Sequence, residues 1–376
     1  MSYRHLFSLI AAAGVIAIVP LSRAEAHGYR QHNLVSNRPA AAMADHTDPN
    51  LVNPWGVAFF PGGPFWISDN AANPDGLSTL YDGAGNIIDF PATSTPFAVT
   101  IPTEQGDTGQ GAPGPTGMVW NGSPLAFPVG NNPQNTAPAL FIWATEDGTI
   151  AAWQPALSPV NVAVTVFHNP KTLTDGPVYK GLAIGNNSSG LFLYATDFRD
   201  ASVVVWDSTF AVNTALSAKF ADHQIPTGFA PFGLQNINGQ LWVTYARQDS
   251  AKHDPKTGAS EGFVDVFDTD GNLLNRFARR GVLDAPWGVV LAPDNFGQFS
   301  NDILIGNFGD GRISAWNPDK GKFIDWIRDG GGKTIELGSL WDLVFGGGLN
   351  ADPQTLYFTT GLVNEGDGLL GTLTPK

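Results

Sequence analysis

A short phrase recurs six times along this chain and constrains the fold more than any other feature. Each copy ends in a glycine, or in the last copy an aspartate, followed by an apolar residue. The copies lie at 53–57, 115–118, 179–182, 230–234, 285–289 and 340–343. Successive copies are 61, 64, 52, 55 and 54 residues apart. A period of this size, built from short strands, is typical of a β-propeller with one blade per copy.

Each copy is followed by further strand patterns. Apolar runs that end in polar residues come first, as at 65–70, and short strands that end in an aromatic residue and a turn come next, as at 266–271. Their aromatic and β-branched residues favour strands. A fourth strand follows in several repeats. We therefore predict an all-β fold, a six-bladed β-propeller with four-stranded antiparallel blades.

The sixth repeat has no fourth strand of its own. Residues 371–375 are predicted to be its third strand, and the segment 29–37 precedes the first blade without a place in it. We predict that this N-terminal strand completes the last blade and closes the ring, because closure removes exposed sheet edges. Residues 27–376 then form a single propeller domain.

The first 26 residues are predicted to be a secretory signal peptide. Arg4 gives a positive start, 6–21 is apolar, and 24–26 is a small-x-small cleavage site. A retained N-terminal anchor is the alternative. We expect a secreted or periplasmic monomer with no membrane anchor after cleavage, because no later stretch is long and apolar enough to span a bilayer.

Composition and missing motifs narrow the classes of function. The formal net charge is −14, which disfavours nucleic acid as a partner. The chain has no cysteine, which excludes thiol catalysis and cysteine-bound metals. No nucleophile elbow, zinc-protease motif, P-loop or dinucleotide fingerprint occurs, so no nucleotide cofactor is expected. The partner is expected to be a small molecule or an extracellular polymer or protein.

The mouth of the central channel is the expected site, because inner-strand starts and second-strand ends meet there. Candidate ligand-binding residues are Trp55, Phe232, Trp287, Trp341 and Asn307. The aromatic rings suit sugars or aromatic compounds, although packing between blades is the alternative. Long loops at 103–114, 121–138 and 247–262 are further candidates, the last with His253 and Asp254.

Oxygen ligands at strand ends suggest a metal site. The candidate ligands are Asp69, Asn70, Glu146 and Asp197, a set suited to calcium, although such residues also satisfy turn amides. Lys180 and Glu146 are the candidate catalytic pair. Lys180 could act as an acid or base, or form a structural ion pair with Glu146 or Asp197. Copper at an N-terminal His27 is a weaker alternative.

Four phrases, at 47–56, 144–150, 179–183 and 305–311, resemble a family of secreted bacterial proteins of uncharacterised activity. Some members of that family carry a PEP-CTERM sorting signal. The resemblance implies a secreted propeller and no particular activity. This chain ends at Lys376 without that signal, so release rather than anchoring is expected. Asp367 stands where the family pattern often has a histidine, which weakens any histidine-based site there.

More distantly, the repeats are similar to NHL-repeat propellers, whose neighbours include calcium-dependent lactonases of the gluconolactonase type and amidating lyases. In the lactonase type, oxygen ligands stand at inner-strand starts. Here most of those places hold other residues, which counts against lactonase chemistry. Those residues are Trp55, Thr116, Lys180, Phe232 and Trp287.

Three functions remain open from the sequence. The first is binding of a ligand or partner at the channel mouth. The second is a calcium-dependent hydrolase or lyase at the same site, and the third is a structural protein of the extracellular matrix. Whether the chain is an enzyme is left open, because fold alone does not decide function.

Overall fold

The computed structural model describes residues 28–71, 76–90, 95–102, 114–169 and 175–376. The proposed signal peptide and His27 lie outside them, as does most of the loop at 103–114. The described chain starts with strand β1 (Tyr29–Ser36), helix α1 (Pro39–Ala42) and strand β2 (His46–Thr47).

Blades 1 and 2 are four-stranded antiparallel sheets, each with a small extra hairpin. Blade 1 contains β3 (Pro54–Ala58), β4 (Phe65–Asp69), β5 (Gly76–Tyr81), β6 (Asp89–Phe90), β7 (Thr95–Pro96) and β8 (Ala98–Ile101). Blade 2 contains β9 (Pro115–Trp120), β10 (Pro128–Val129), β11 (Ala137–Pro138), β12 (Phe141–Thr145), β13 (Thr149–Trp153) and β14 (Val164–His168). The main sheets run β3-β4-β5-β8 and β9-β12-β13-β14 from the channel outward.

Blade 3 differs from the four-stranded prediction. It contains β15 (Tyr179–Asn187), β16 (Gly190–Asp197), β17 (Ser202–Trp206) and helix α2 (Thr214–Ser217). The three strands form the sheet, and the segment after β17 makes a single bridge from Trp206 to Val212. The Val205 N–H then donates to Ser217 Oγ over 2.9 Å. The short helix therefore takes a hydrogen bond at the edge where a fourth strand would pair.

Blades 4 and 5 return to the four-stranded pattern. Blade 4 contains β18 (Phe229–Ile237), β19 (Gln240–Gln248), β20 (Pro255–Lys256), β21 (Gly262–Asp268) and β22 (Leu273–Arg279). Blade 5 contains β23 (Pro286–Leu291), the 3-10 helix Gly297–Phe299, β24 (Ile303–Asn307), β25 (Ile313–Asn317) and β26 (Lys322–Trp326). Short β20 is an addition to the sheet at the end of β19.

Blade 6 confirms the predicted closure. It contains β27 (Ser339–Phe345), β28 (Leu356–Leu362) and β29 (Asp367–Pro375), and β1 pairs antiparallel with β29 as the fourth strand. Inner strands β3, β9, β15, β18, β23 and β27 contact one another in a complete ring. The fold is thus a six-bladed β-propeller closed by its N-terminal strand.

The recurring glycine is explained by close approach of neighbouring inner strands. A Cβ atom on Gly56 would lie 2.7 Å from the Thr116 carbonyl oxygen, and one on Gly288 would lie 2.7 Å from that of Trp341. Such contacts are too short for any side chain, so five blades require glycine here. In blade 6 the place is taken by Asp342, whose Oδ2 accepts the N–H of Val57 in blade 1 over 2.9 Å.

Candidate functional site

Four of the predicted ligand-binding aromatic residues form a plug across the channel. The Trp55 and Trp341 rings stack with centroids 3.3 Å apart, and Trp287 meets both edge-on at 6.0 Å. Phe232 packs edge-on against Trp55 at 6.5 Å. None of the four is more than 6% exposed. The four rings therefore pack against one another. They fit the alternative of packing between blades better than that of an open surface on which a ligand could stack.

Lys180 lies directly against this plug. Lys180 has no exposed surface. Its Nζ lies 5.0 Å from the centroid of the Trp55 ring and 5.9 Å from the centroid of the Phe198 ring. The ammonium forms an ion pair with the Glu146 carboxylate, whose side chain is 16% exposed. Cation–π contact and a charge-assisted hydrogen bond together compensate the loss of water around the ammonium. This ion pair is the structural arrangement that the sequence left open.

Glu146 continues into a chain of amide side chains. Its Oε2 accepts Asn70 Nδ2 over 2.8 Å, and Asn70 Oδ1 accepts Asn53 Nδ2 over 3.2 Å. Asn53 also donates to Glu365 Oε2 over 2.9 Å and accepts the indole N–H of Trp341 over 2.9 Å. The network joins blades 1, 2, 3 and 6 around the mouth. Because each member is held by its neighbours, its polar atoms are fixed in direction.

Asn53 has a backbone conformation that suits this role. Its φ is 47°, in the left-handed region that asparagine tolerates better than most other residues. The residue stands immediately before β3, where the chain turns into the channel. That turn is what carries its side chain between Asn70, Glu365 and Trp341.

The loop between β19 and β20 brings two more groups to the mouth. Asp254 Oδ1 lies 3.9 Å from Lys180 Nζ and 2.9 Å from His253 Nδ1. The hydrogen bond from His253 lowers the pKa of Asp254, and the Lys180 charge acts in the same direction. The Asp254 side chain is 67% exposed, so it faces solvent across the buried pair. We call Asn53, Asn70, Glu146, Lys180, His253, Asp254 and Glu365 the polar mouth.

Glu365 is the most isolated acid of the polar mouth. Burial raises its pKa above the ordinary glutamate value, the hydrogen bond from Asn53 opposes that shift, and the neighbouring Glu146 charge adds to it. Glu365 therefore holds its proton more tightly than a free glutamate does.

The predicted metal ligands do not all face this mouth. Asn70 and Glu146 bond to each other, whereas Asp69 Oδ2 accepts the backbone N–H of Thr79 over 3.0 Å. Asp197 Oδ1 accepts the backbone N–H groups of Arg199 and Asp200, each over 3.1 Å. Burial raises the pKa of Asp197 to about 6 and that of Asp69 well above its usual range. These two carboxyl groups therefore accept hydrogen bonds from backbone amides within their own blades.

Asn307, the remaining predicted ligand-binding residue, is fully buried. Its Nδ2 donates to the Val282 carbonyl oxygen over 2.8 Å and to Asp310 Oδ1 over 3.1 Å. These bonds tie the end of β24 to the segment before β23, the inner strand of the same blade, and to the turn that follows β24. Asn307 therefore lies apart from the contacts of the polar mouth.

A different set of groups approaches metal-ligand geometry. Ligand atoms of Glu146, His253 and Asp254 lie within 4.8 Å of one another. Imidazole suits zinc or copper better than calcium, and an ion here would compete with the Lys180 ammonium for both carboxylates. The calcium site predicted from Asp69, Asn70, Glu146 and Asp197 would need the first and last to leave their backbone amides. It stays a prediction.

Sequence reasoning does not predict the hydrogen bonds within the polar mouth, although it places five of its residues among the strand starts and ends at the channel mouth: Asn53, Asn70, Glu146, Lys180 and Glu365. Asn53 and Glu365 stand at strand ends of blades 1 and 6, which are adjacent only because the ring closes. His253 and Asp254 lie in a long loop whose path the sequence does not determine. The usable indication was the length of that loop together with its unusual content of ionisable residues.

The closed ring with a plugged channel and a polar mouth defines the class of this protein, a six-bladed β-propeller. No family model matches the sequence. The chain is 32% identical over 349 residues to uncharacterized protein R648 of Acanthamoeba polyphaga mimivirus, covering 90% of this chain and 78% of that protein. It therefore belongs to the same family as that protein.

Two further comparisons cover a similar share of this chain. Uncharacterized protein L690 of the same virus is 29% identical over 355 residues, covering 92% of this chain and 85% of that protein. Streptogramin B lyase aligns with a TM-score of 0.45 and 12% identity, covering 93% and 97% of the two chains. The two sequence relatives are viral, whereas the family resemblance implied bacterial proteins. The sorting signal and secretion stay predictions.

Proposed function

We propose that the polar mouth binds a small hydroxyl-rich ligand, a saccharide that is either free or the end of an extracellular polymer. The observation that carries this proposal is the buried Lys180–Glu146 pair, connected to amide and carboxyl groups of neighbouring blades. Burying these charged and polar groups costs free energy, and the hydrogen bonds between them hold their positions rigidly. A specific binding site for a polar ligand requires polar groups held in this way.

The charges in the polar mouth favour a neutral ligand over an ionic one. Lys180 is paired with Glu146, and His253 with Asp254. A charged ligand would have to break one of these pairs. A hydroxyl group can donate to a carboxylate and accept from an ammonium or amide without doing so. Asp254 and Glu365 offer free acceptor positions toward solvent.

A screen of neutral mono- and oligosaccharides by saturation-transfer NMR tests this proposal. The parent is expected to give saturable transfer that the double variant Glu146→Gln/Lys180→Met loses. Asp319→Asn, at an exposed turn position between β25 and β26, is the matched control and should bind as the parent does. Absence of saturable binding to any saccharide, or equal binding by the double variant, would overturn the proposal.

A second candidate is a metal-dependent hydrolase or lyase at the same mouth. The closeness of the Glu146, His253 and Asp254 ligand atoms favours it. Lys180 would then be released from its pair and could hold or donate a proton beside the reacting group. Retention of one ion per chain after dialysis, lost in Glu146→Gln, would support this candidate over saccharide binding.

We also propose that the protein acts in the periplasm or outside the cell. The basis is the composition of residues 1–26, with a positive start, an apolar run and a small-residue cleavage site. N-terminal sequencing of the exported protein should start at His27. An uncleaved chain in the cytoplasmic fraction would contradict this.

A further inference from the structure

The opposite end of the channel holds a second cavity. It has a volume of about 390 Å³ and is lined by the far ends of the inner strands. Every blade contributes to its wall, with Phe59, Trp120, Ile184, Asn236, Val290 and Phe345. All six are partly exposed, so the cavity opens to solvent, and five of the six are apolar. The size and lining are those of a small-molecule site.

A smaller cavity lies between this opening and the plug. Its volume is about 20 Å³, and its walls include Gln235, Trp287 and Asp342. Along the four inner strands that contribute to the plug, the plug residue comes first, small-cavity residues come next and open-cavity residues come last, as with Trp341, Asp342 and Phe345. The small cavity, which Asp342 borders, therefore lies between the open cavity and the plug, and the two cavities share Val57, Met118 and Gln235 in their walls.

Asp342 is the one departure from the recurring glycine, and it places a carboxyl group inside an otherwise apolar channel. Its Oδ2 accepts the Val57 N–H over 2.9 Å and its Oδ1 accepts the Leu343 N–H over 2.8 Å. Each oxygen keeps a lone pair for a further donor. Burial raises the pKa of this carboxyl to about 7, although the hydrogen bonds from the Val57 and Leu343 N–H groups oppose the shift.

Two other polar groups surround the same small cavity. The indole N–H of Trp287 is buried and has no hydrogen-bond partner among the described residues. The Gln235 side chain borders both cavities. A cavity of this size holds about one water molecule, which can bridge such groups. The inner end of the channel is thus polar and negatively charged when Asp342 ionises, whereas its outer part is apolar.

We propose that this apolar mouth binds a hydrophobic amine, with its apolar body in the open cavity and its ammonium group toward Asp342. The ammonium supplies a positive charge that none of the described residues lining the small cavity provides. The apolar body of the ligand shields the side chains of Phe59, Trp120 and Phe345 from water, which favours binding. The plug keeps this site independent of saccharide binding at the polar mouth.

Isothermal titration with 1-naphthylmethylamine tests this proposal, with 1-naphthylmethanol as the neutral control. The parent should bind the amine at least tenfold more tightly than the alcohol. Asp342→Asn should lose that preference while still binding both compounds. Val290→Trp, which places an indole ring in the open cavity, should weaken the binding of both compounds. Asp319→Asn, the exposed control, should bind the amine as the parent does.

Equal affinity of the parent for amine and alcohol would overturn the proposal, as would an unchanged preference in Asp342→Asn. If Asp342→Asn does not fold, NMR decides the question in the parent. The Trp120 indole resonance should then shift on amine addition and shift less in Val290→Trp. Shifts confined to residues of the polar mouth would also overturn it.

Discussion

Asn70 Nδ2 donates to Glu146 Oε2 over 2.8 Å, and this bond joins blade 1 to blade 2 across the channel mouth. The other oxygen of the same carboxylate meets the buried Lys180 ammonium of blade 3. One side chain thereby holds three blades and fixes the direction of a buried charge. The polar mouth is for this reason both a structural junction and a candidate site for ligand recognition.

Glu146→Gln is expected to lower the free energy of unfolding by about 3 kcal/mol, because it leaves the Lys180 ammonium buried without its partner. The nearby Asp254 carboxylate limits this loss of stability, because it lies 3.9 Å from the same ammonium. Urea denaturation measures the effect, with Asp319→Asn as an exposed control within about 0.5 kcal/mol of the parent. The double variant Glu146→Gln/Lys180→Met should regain most of the loss. A double variant as unstable as Glu146→Gln would contradict this account of the pair.

Closure by β1 predicts a contrast between two positions on that strand. Val35 is fully buried and Gln31 is exposed, and both pair with β29. Val35→Asp buries an unpaired charge at the seam of the ring and should lower the thermal midpoint by many degrees or prevent folding. Gln31→Asp should change it little. Similar midpoints for the two variants would show that β1 is not needed for closure.

Most of the fold could be predicted from the sequence, because each blade repeats the same local packing requirement at its inner strand. Close packing of inner strands demands glycine in five blades, so the period is visible in the sequence. The closure followed from one unplaced strand at 29–37 and one missing strand. Blade 3 was not predictable in this way, because α2 takes its edge hydrogen bond through the Ser217 side chain.

The site was only partly predictable. Asp69 and Asn70 are neighbours at the end of β4, yet one bonds within its blade and the other crosses to Glu146. Successive side chains of a strand face opposite sides, and composition does not say which side faces the mouth. Asp254 reaches Lys180 from a long loop, and that contact depends on the loop path.

Stability should depend on pH through Asp342. Burial raises its pKa in the folded state to about 7, well above the unfolded value. The folded state therefore binds the proton more tightly, so its stabilising effect is complete at acidic pH and is lost as pH rises toward 7. Urea denaturation at pH 5, 6 and 8 should show the stability of the parent falling relative to Asp342→Asn. A difference that is constant over this range would refute the assignment.

Calcium is expected to leave the thermal midpoint unchanged, because the ammonium of Lys180 already neutralises Glu146, and Asp69 and Asp197 bond backbone amides. Metal analysis of the purified protein, with melting curves in EDTA and in calcium, checks this. About one ion per chain, with a midpoint that falls in EDTA and recovers in calcium, would instead support the site predicted from the sequence.

Saccharide binding at the polar mouth is the central claim, and titration calorimetry with the tightest-binding saccharide tests it most directly. Asp254→Asn removes an exposed acceptor charge without touching the plug, so the variant should fold as the parent does. The account predicts affinity at least tenfold weaker for Asp254→Asn and unchanged for Asp319→Asn. Equal affinities for the parent and both variants would contradict it.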